Sequence, residues 1–388
     1  MSCSIQRVRV AIEVKKVQIY ADNAAFKPLL PEVKQFIHDF IETDFRNPSA
    51  IYSNGRSTRR LIEQAREQVA KAIGADTDEI YFTSGASESI NWFAHNSDRI
   101  YTTTIEHKAV LRNANNFIPV SDTGRVDLDI FREQCPRYGN VIVGWVNNEI
   151  GVIQPAKEIV DISHKKYSSI LVDATQAIGH IPIDVHEIGV DFLVGSFGKL
   201  GGLTGSGFLY MRKGVCLEPM IRGGSQERGL RASTENILGI LAGAMAISIA
   251  TQNIEIKAAI TAKKRDKIIN SLLQIPKSHL NGSLGNRACG NISIAFEGIE
   301  AESLVLQLDL KGVQVSAGSA CNSASIEPSH VLKAIGLSDE LARASIRITI
   351  DENITDEQIE YLVNTIKDCV AKMRQSSPLW KEICNENN

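Results

Sequence analysis

Short apolar runs alternate with stretches of helical spacing through residue 250 or so. Val17 to Tyr20 reads as a strand entering Ala21-Asp22-Asn23. Helical periodicity follows over 31–41, carried by Val33, Phe36, Ile37 and Phe40, and over 60–73, carried by Leu61, Ile62, Ala65, Val69, Ala72 and Ile73. The runs Ile80-Tyr81-Phe82, Ile100-Tyr101-Thr102, Val141-Ile142-Val143, Ile170-Leu171-Val172 and Phe192-Leu193-Val194 read as strands. Strands alternating with helices predict an α/β fold whose sheet is mainly parallel and covered by helices. After Thr251 the pattern changes. A long charged helical stretch over 254–275 gives way to short strands, Ile292-Ser293-Ile294 and Ile346-Arg347-Ile348, and a final helix over 355–373. Two domains are expected: a large one over 17–250, and a smaller α+β one over 251–388 that includes residues 1–16.

Length supports that division, since 388 residues exceed one ordinary core. Charge narrows the partners. The formal net charge is -3, and the main basic cluster, Lys263-Lys264-Arg265, sits beside Asp266 in a helical stretch, as a solvated face does. No direct binding of nucleic acid is expected. The most apolar segment, 237–250, is shorter than the ~20 residues of a bilayer span and rich in Gly and Ala, so it reads as a buried helix, with no membrane role expected. The start of the chain is interrupted by Arg7, Arg9, Glu13, Lys15 and Lys16 and shows no export signature, which predicts a cytoplasmic location. The 7 cysteines form no CxxC pair and no metal spacing, so free thiols and no metal site are expected.

The candidate chemistry starts with Asp173 and Lys199. Asp173 ends one apolar run, and Lys199 follows another, Phe192-Leu193-Val194-Gly195-Ser196. Strand carboxyl ends are where open α/β sheets place their ligand crevices. A lysine amine can tether an aldehyde cofactor, while a carboxylate beside a pyridine nitrogen keeps that ring protonated and electron-withdrawing. The pair therefore points to pyridoxal 5'-phosphate, although an isolated Asp and Lys after strands are ordinarily surface residues. Thr83-Ser84-Gly85-Ala86-Ser87-Glu88 lies between a strand and a helix, where backbone amides meet phosphate; an ordinary capping box looks much the same. His107 follows Thr102-Thr103-Thr104 and is either a ring-stacking imidazole or a polar loop residue.

Taken in order, these segments resemble the cysteine desulfurase family of fold-type I pyridoxal phosphate enzymes. The matching blocks are NPSAIYSNGR from Asn47, FTSGASES from Phe82, EHKAVL from Glu106, VNNEIGVIQP from Val146, VDATQAIG from Val172, GSQERGLRAST from Gly224 and VSAGSACNSASIEPSHVL from Val315. They cover nearly the whole chain, from Tyr20 to the SPLW at Ser377. The resemblance implies that Lys199 holds the cofactor covalently, Asp173 pairs with the ring nitrogen, Gln176 and Asn148 touch the phenolic oxygen, and His107 stacks on the ring. It places Ala86, Ser87 and Ser196 on the phosphate, with Thr234 reaching the phosphate of a partner subunit, which requires a homodimer. Arg347 becomes the clamp for the substrate carboxylate, a task suited to a planar two-pronged donor. Cys321 becomes the thiol that takes sulfur from L-cysteine, leaves alanine, and hands the sulfur to an acceptor protein. His107 is the candidate proton shuttle. Cys216 and Cys369 are expected to be buried and inert.

Several positions depart from the family pattern. Gly198 stands where a histidine usually assists the phosphate, a loss comparable to one charge-assisted hydrogen bond, roughly 1.5 to 3 kcal/mol. Leu203-Thr204 replaces a Pro-Lys pair, and Ala24-Ala25-Phe26 replaces a Ser/Thr-rich stretch. These changes suit a specialised relative that feeds one dedicated pathway, such as DNA phosphorothioation or tRNA thiolation, with general iron–sulfur assembly as the rival. An aminotransferase or selenocysteine lyase of the same fold would keep the Lys199 site without needing Cys321.

Overall fold

The computed structural model describes residues 19–318 and 327–385. The chain enters through the short strand Ile19–Tyr20 (β1). Ile80–Thr83 (β2), Ile100–Thr103 (β3), Asn116–Ile118 (β4), Asn140–Gly144 (β5), Ser169–Asp173 (β6), Phe192–Ser196 (β7) and Gly207–Met211 (β8) then build a seven-stranded sheet in the order β2-β8-β7-β6-β5-β3-β4. Only β8 runs against the others. The carboxyl ends of β2, β3, β5, β6 and β7 therefore share one edge.

The central strands are continuously apolar because both faces are covered. Val141, Val143, Ile170 and Val172 point into one core, built with the helices Pro31–Ile41 (α1), Ser53–Ile73 (α2) and Ile237–Ala250. Their neighbours Ile142 and Leu171 point into the other, with Ile90, Trp92 and Phe93 of the helix Ala86–His95 (α3). The period of two along a strand makes that division. The α2 helix begins at Ser53, seven residues before the apolar spacing starts, because the residues its first turns bury are Gly55 and Thr58, which leave no apolar pattern. The expectation for 237–250 as a buried helix matches its packing, with Ile240, Ala242, Ala244, Ala246 and Ile247 all at 2% exposure or less. Among the described residues no single helix is long and apolar enough to cross a bilayer.

After a 73° bend the chain continues as the helix Ile254–Leu272. Ser278–Leu280 (β9), Asn291–Phe296 (β10), Val313–Gln314 (β11), Ser316–Ala317 (β12) and Ser345–Thr349 (β13) follow. Of these, β12, β13, β10 and β9 form an antiparallel sheet in that order, while β11 pairs in parallel with β1. Ile19 and Ala21 pack into the core of this second sheet with Ile292, Ile294, Ile346 and Ile348. Residues 21–24 are tied to β13 through Thr349, whose N–H donates to Ala21 O (2.7 Å) and whose Oγ1 accepts from Ala24 N–H (2.9 Å). Cys369 is buried, but Cys216 is exposed, because it lies in the turn that leaves β8 instead of under a helix.

One contact ties packing to chemistry. Gly243 presses on the ring of Phe197, so closely that a Cβ there would lie 2.1 Å from Phe197 Cδ2. Phe197 opens the short turn that ends at Lys199. An alanine normally favours a helix over glycine by ~1 kcal/mol, yet here the added methyl group meets a fully buried ring. Gly243→Ala is expected to destabilise the protein by about 1–3 kcal/mol, the usual cost of overpacking. A lower urea unfolding midpoint with an unchanged slope would show it.

Candidate active site

The shared edge of the large sheet and the β13 strand face one cavity of about 530 Å³. Its wall includes Ala86 and Ser87 after β2, His107 after β3, Asn148 after β5, Asp173 and Gln176 at and after β6, Ser196 and Lys199 at and after β7, and Arg347 from β13. Residues scattered over more than 260 positions in sequence thus meet because strand ends are their common address. Gly198 and Thr234 are not part of this wall. Cys321 lies outside the described residues.

Five of these side chains are held by specific contacts. Lys199 Nζ donates to the carbonyls of Ala24 (2.9 Å) and Ala25 (2.5 Å), and Gln176 Nε2 donates to Ala24 O (2.9 Å). Asp173 Oδ1 accepts the Thr175 N–H at 2.9 Å. His107 caps the short helix after it by accepting the Ala109 N–H on Nδ1 (3.1 Å), so the neutral ring carries its proton on Nε2. Arg347 sits on the polar face of its strand, between the core residues Ile346 and Ile348. Its Nη2 pairs with Asp22 Oδ1 (2.6 Å) and its Nη1 donates to Asn148 O (3.0 Å).

The phosphate-sized corner is built by backbone. Helix α3 starts without a side-chain cap, leaving its first-turn amides to a ligand. Gly85 precedes it with φ 148°, a conformation side chains rarely adopt, and a Cβ there would point at Ser196 Oγ, 3.8 Å away. At Gly198, where the family carries histidine, a Cβ would lie 3.0 Å from Thr204 Cγ2. The Thr204 side chain therefore occupies space that a larger residue at 198 would need. The two departures are linked by packing.

Four residues without an assigned role also shape the cavity. Glu106 lies in its wall, buried, with Oε1 accepting from Thr103 Oγ1 (2.5 Å) and Oε2 from the Gly144 N–H (2.7 Å). His330 donates from Nε2 to Glu106 O (2.9 Å). Asn147 fixes the turn that presents Asn148, accepting the N–H groups of Glu149 and Ile150 and donating to Ile105 O. Thr175 Oγ1 and Arg347 Nε are buried polar atoms without a hydrogen-bond partner among the described residues, and both residues line the cavity. Orphaned buried donors are rare, and here they suit a polar ligand. Glu106, Asn147 and His330 all lie within motif blocks visible in the sequence, but nothing in a buried Glu or Asn advertises its role.

A carboxylate at the end of one strand, an amine at the end of the next, uncapped amides at a helix start and a buried arginine opposite make a donor set that fits pyridoxal 5'-phosphate together with an amino acid. The class-V aminotransferase family model matches residues 19–362. The chain belongs to the cysteine desulfurases of that family. A cysteine desulfurase IscS of Methanosarcina thermophila is 40% identical over 95% of this chain and 96% of its own length. Among solved structures, a NifS-like protein superposes with a TM-score of 0.85 at 32% identity, covering 91% of this chain and 99% of its own. A structure of SspA in complex with cysteine gives 0.74 at 29% identity, covering 87% and 99%. This desulfurase uses pyridoxal phosphate, and its substrate is cysteine.

The electrostatics of the cavity are uneven. Burial pushes the Glu106 carboxyl up to about 7, and the charge of Asp173 adds to the rise, while the bonds from Thr103 and Gly144 oppose it. Between an unfolded value of 4.5 and about 7 the folded state holds the proton more tightly, so stability falls as pH rises through that window. Above it, the cost of the buried anion is fully present. Glu106→Gln keeps an acceptor for Gly144 and a partner for Thr103. In cofactor-free protein it is expected to exceed the wild type in stability by about 3 kcal/mol at pH 8, from ~1.4 kcal/mol per pKa unit, with the gain gone below pH 5. Urea unfolding across that pH range measures it.

Proposed function

We propose that the protein carries out cysteine desulfuration with Lys199 as cofactor tether and proton carrier, Cys321 as sulfur acceptor and Arg347 as substrate clamp, working as a homodimer. The observation that carries this reading is the facing of Asp173 and Lys199, on adjacent strand ends, with Arg347 across one cavity. Asp173 would hold the ring nitrogen of the cofactor, Gln176 and Asn148 its phenolic oxygen, and Ala86, Ser87 and Ser196 its phosphate, with His107 against the ring. When bound, the cofactor supplies an electron sink that lets the carbon–sulfur bond of cysteine break.

The chain's own groups do the rest. Arg347, kept in place by Asp22 and the Asn148 carbonyl, orients the substrate carboxylate through N–H groups those bonds leave over. Lys199 Nζ, once released from its tether, moves the proton from Cα. His107 Nε2–H would donate a hydrogen bond to the sulfur side. Cys321 attacks the substrate sulfur as thiolate and becomes a persulfide; the former Cβ gains a proton, so cysteine plus thiol becomes alanine plus persulfide. The persulfide then passes to an acceptor protein, for DNA phosphorothioation, tRNA thiolation or iron–sulfur assembly, and co-purification of that acceptor decides among them.

Two observations support the homodimer. Thr234 is exposed and lies outside the cavity of its own chain, so a role on phosphate requires a second copy. A groove of about 470 Å³ between α1, α2 and the helix 237–250 is lined by Phe36, Phe40, Phe45, Leu61, Leu241 and Met245, beside the 87% exposed Ile51. Apolar surface of that extent is normally covered.

With purified protein, pyridoxal phosphate and L-cysteine, alanine and persulfide are expected in equal amounts, the persulfide mapping to Cys321 by mass spectrometry. Cys321→Ala should abolish both persulfide and multiple turnover, and Lys199→Ala should abolish alanine formation; sustained alanine and transferable sulfur from Cys321→Ala would favour a lyase instead. Arg347→Gln should raise the KM for cysteine roughly 10- to 100-fold, the equivalent of a charge-assisted hydrogen bond of ~1.5–3 kcal/mol, as read from initial rates.

A further inference from the structure

The segment 224–236, which carries Thr234, has an improbable backbone. Glu227 (φ 44°), Arg228 (φ 58°) and Ser233 (φ 89°) all adopt left-handed conformations without being glycine. Such geometry persists only where surrounding contacts over-determine it, and two ion pairs supply them. Arg66 of α2 meets Glu227 as a fork, Nη1 to Oε2 at 2.7 Å and Nη2 to Oε1 at 2.8 Å, with both side chains almost fully buried. Glu227 Oε2 also accepts the Phe82 N–H (2.8 Å), while Arg66 and Arg228 both donate to Ile80 O (2.8 and 2.6 Å). The segment is thereby pinned to β2, the strand that feeds the phosphate corner.

The second pair lies beside that corner. Arg231 donates from Nε and Nη2 to Oε1 and Oε2 of Glu88 (2.9 and 3.1 Å). Glu88 lies in the first turn of α3, lines the cavity, and accepts the Ser84 N–H on Oε2 (2.8 Å). A carboxylate in that turn fixes the Ser84-Gly85 peptide, which leaves the Ala86 and Ser87 amides for a ligand. It also places a negative charge in the first turn of the helix whose terminus an anionic ligand would use, and the two compete for that terminus. Its side chain is only 8% exposed, so water screens that charge poorly. Arg231 is the cation in contact with it. Burial works against the ionised form, but the bonds from Arg231 and Ser84 keep Glu88 below the usual carboxylate range.

We propose that Arg231 and Glu88 are a charge-compensating positioning pair for the cofactor phosphate, with Arg66–Glu227 anchoring the segment from which Arg231 reaches. Glu88 shapes the phosphate loop, and Arg231 cancels the repulsion that this shaping would otherwise create. The inference rests on the cavity being a pyridoxal phosphate site, so the wild type serves as the control for that reading.

The test is the equilibrium dissociation constant for pyridoxal phosphate, followed by visible absorbance, with folding checked by circular dichroism. Arg231→Gln should weaken binding about tenfold or more, as loss of a charge-assisted contact does. The double variant Arg231→Gln/Glu88→Gln should recover most of that loss, because the anion left behind is gone. Glu88→Gln alone, whose amide oxygen can still accept the Ser84 N–H, should bind as tightly as wild type or more tightly. A merely structural pair gives the opposite pattern, with Glu88→Gln weaker and the double variant no better than Arg231→Gln. Either of those results overturns the proposal, and if Arg231→Gln does not fold, Glu88→Gln decides it. Wild-type protein that takes up no pyridoxal phosphate would overturn the reading of the cavity instead.

Discussion

The site depends on a short stretch of backbone, residues 20–26, seated between the two sheets. Tyr20 closes its turn by donating to the carbonyls of Asp22 and Phe26. Thr349 ties it to β13 from above, and it supplies partners in three directions: Asp22 to Arg347, the Ala24 carbonyl to Gln176, and the Ala24 and Ala25 carbonyls to Lys199. These are main-chain groups wherever possible, so the Ala24-Ala25-Phe26 departure from the family's usual residues leaves the contacts intact. A carbonyl is available from any residue. Only the course of the backbone has to be kept, and the parallel pairing of β1 with β11 keeps it.

Around that stretch the cavity divides its work between two kinds of support. The strand ends are rigid because the central sheet is packed on both faces, and they present Asp173, Ser196 and Lys199 at one edge, where the Thr175 N–H holds Asp173 and the Ala24 and Ala25 carbonyls hold Lys199. The charged groups need more. Removing a charge from water is costly unless it is paired or neutralised, and four carboxyls here meet that demand in one of these two ways. Asp22 has Arg347, Glu88 has Arg231 and Glu227 has Arg66. Glu106, bonded to the Thr103 hydroxyl and the Gly144 N–H and with Asp173 nearby, is driven by burial towards its neutral form.

Much of this was legible in sequence where the signal is local. Apolar runs ending in a polar residue marked Asp173 and Lys199 as strand-end groups, because the sheet's covered faces demand the run and its open edge permits the polar residue. The phosphate corner was visible as a Gly-containing loop between a strand and a helix. Arg347 was placed by the family resemblance of the stretch Ser345-Ile346-Arg347, and the reason for its inward aim, alternation with Ile346 and Ile348, is a two-residue rule. The polar first turns of α2 were missed, since what they bury, Gly55 and Thr58, leaves no apolar spacing to read. Cys216 was misplaced for a related reason, as thiol burial depends on what packs over a turn.

The amino-acid order by itself determined the alternation of strands and helices, the family, and the residue types available for tether, clamp and phosphate, because these follow from periodicity and from blocks of neighbouring residues. Only the tertiary structure decided which charges compensate which. Glu227 finds Arg66 from 161 positions away, Glu88 finds Arg231 from 143, and Asp22 finds Arg347 from 325. Such pairings are set by where the backbone brings two desolvated groups into contact, and no local pattern records that distance.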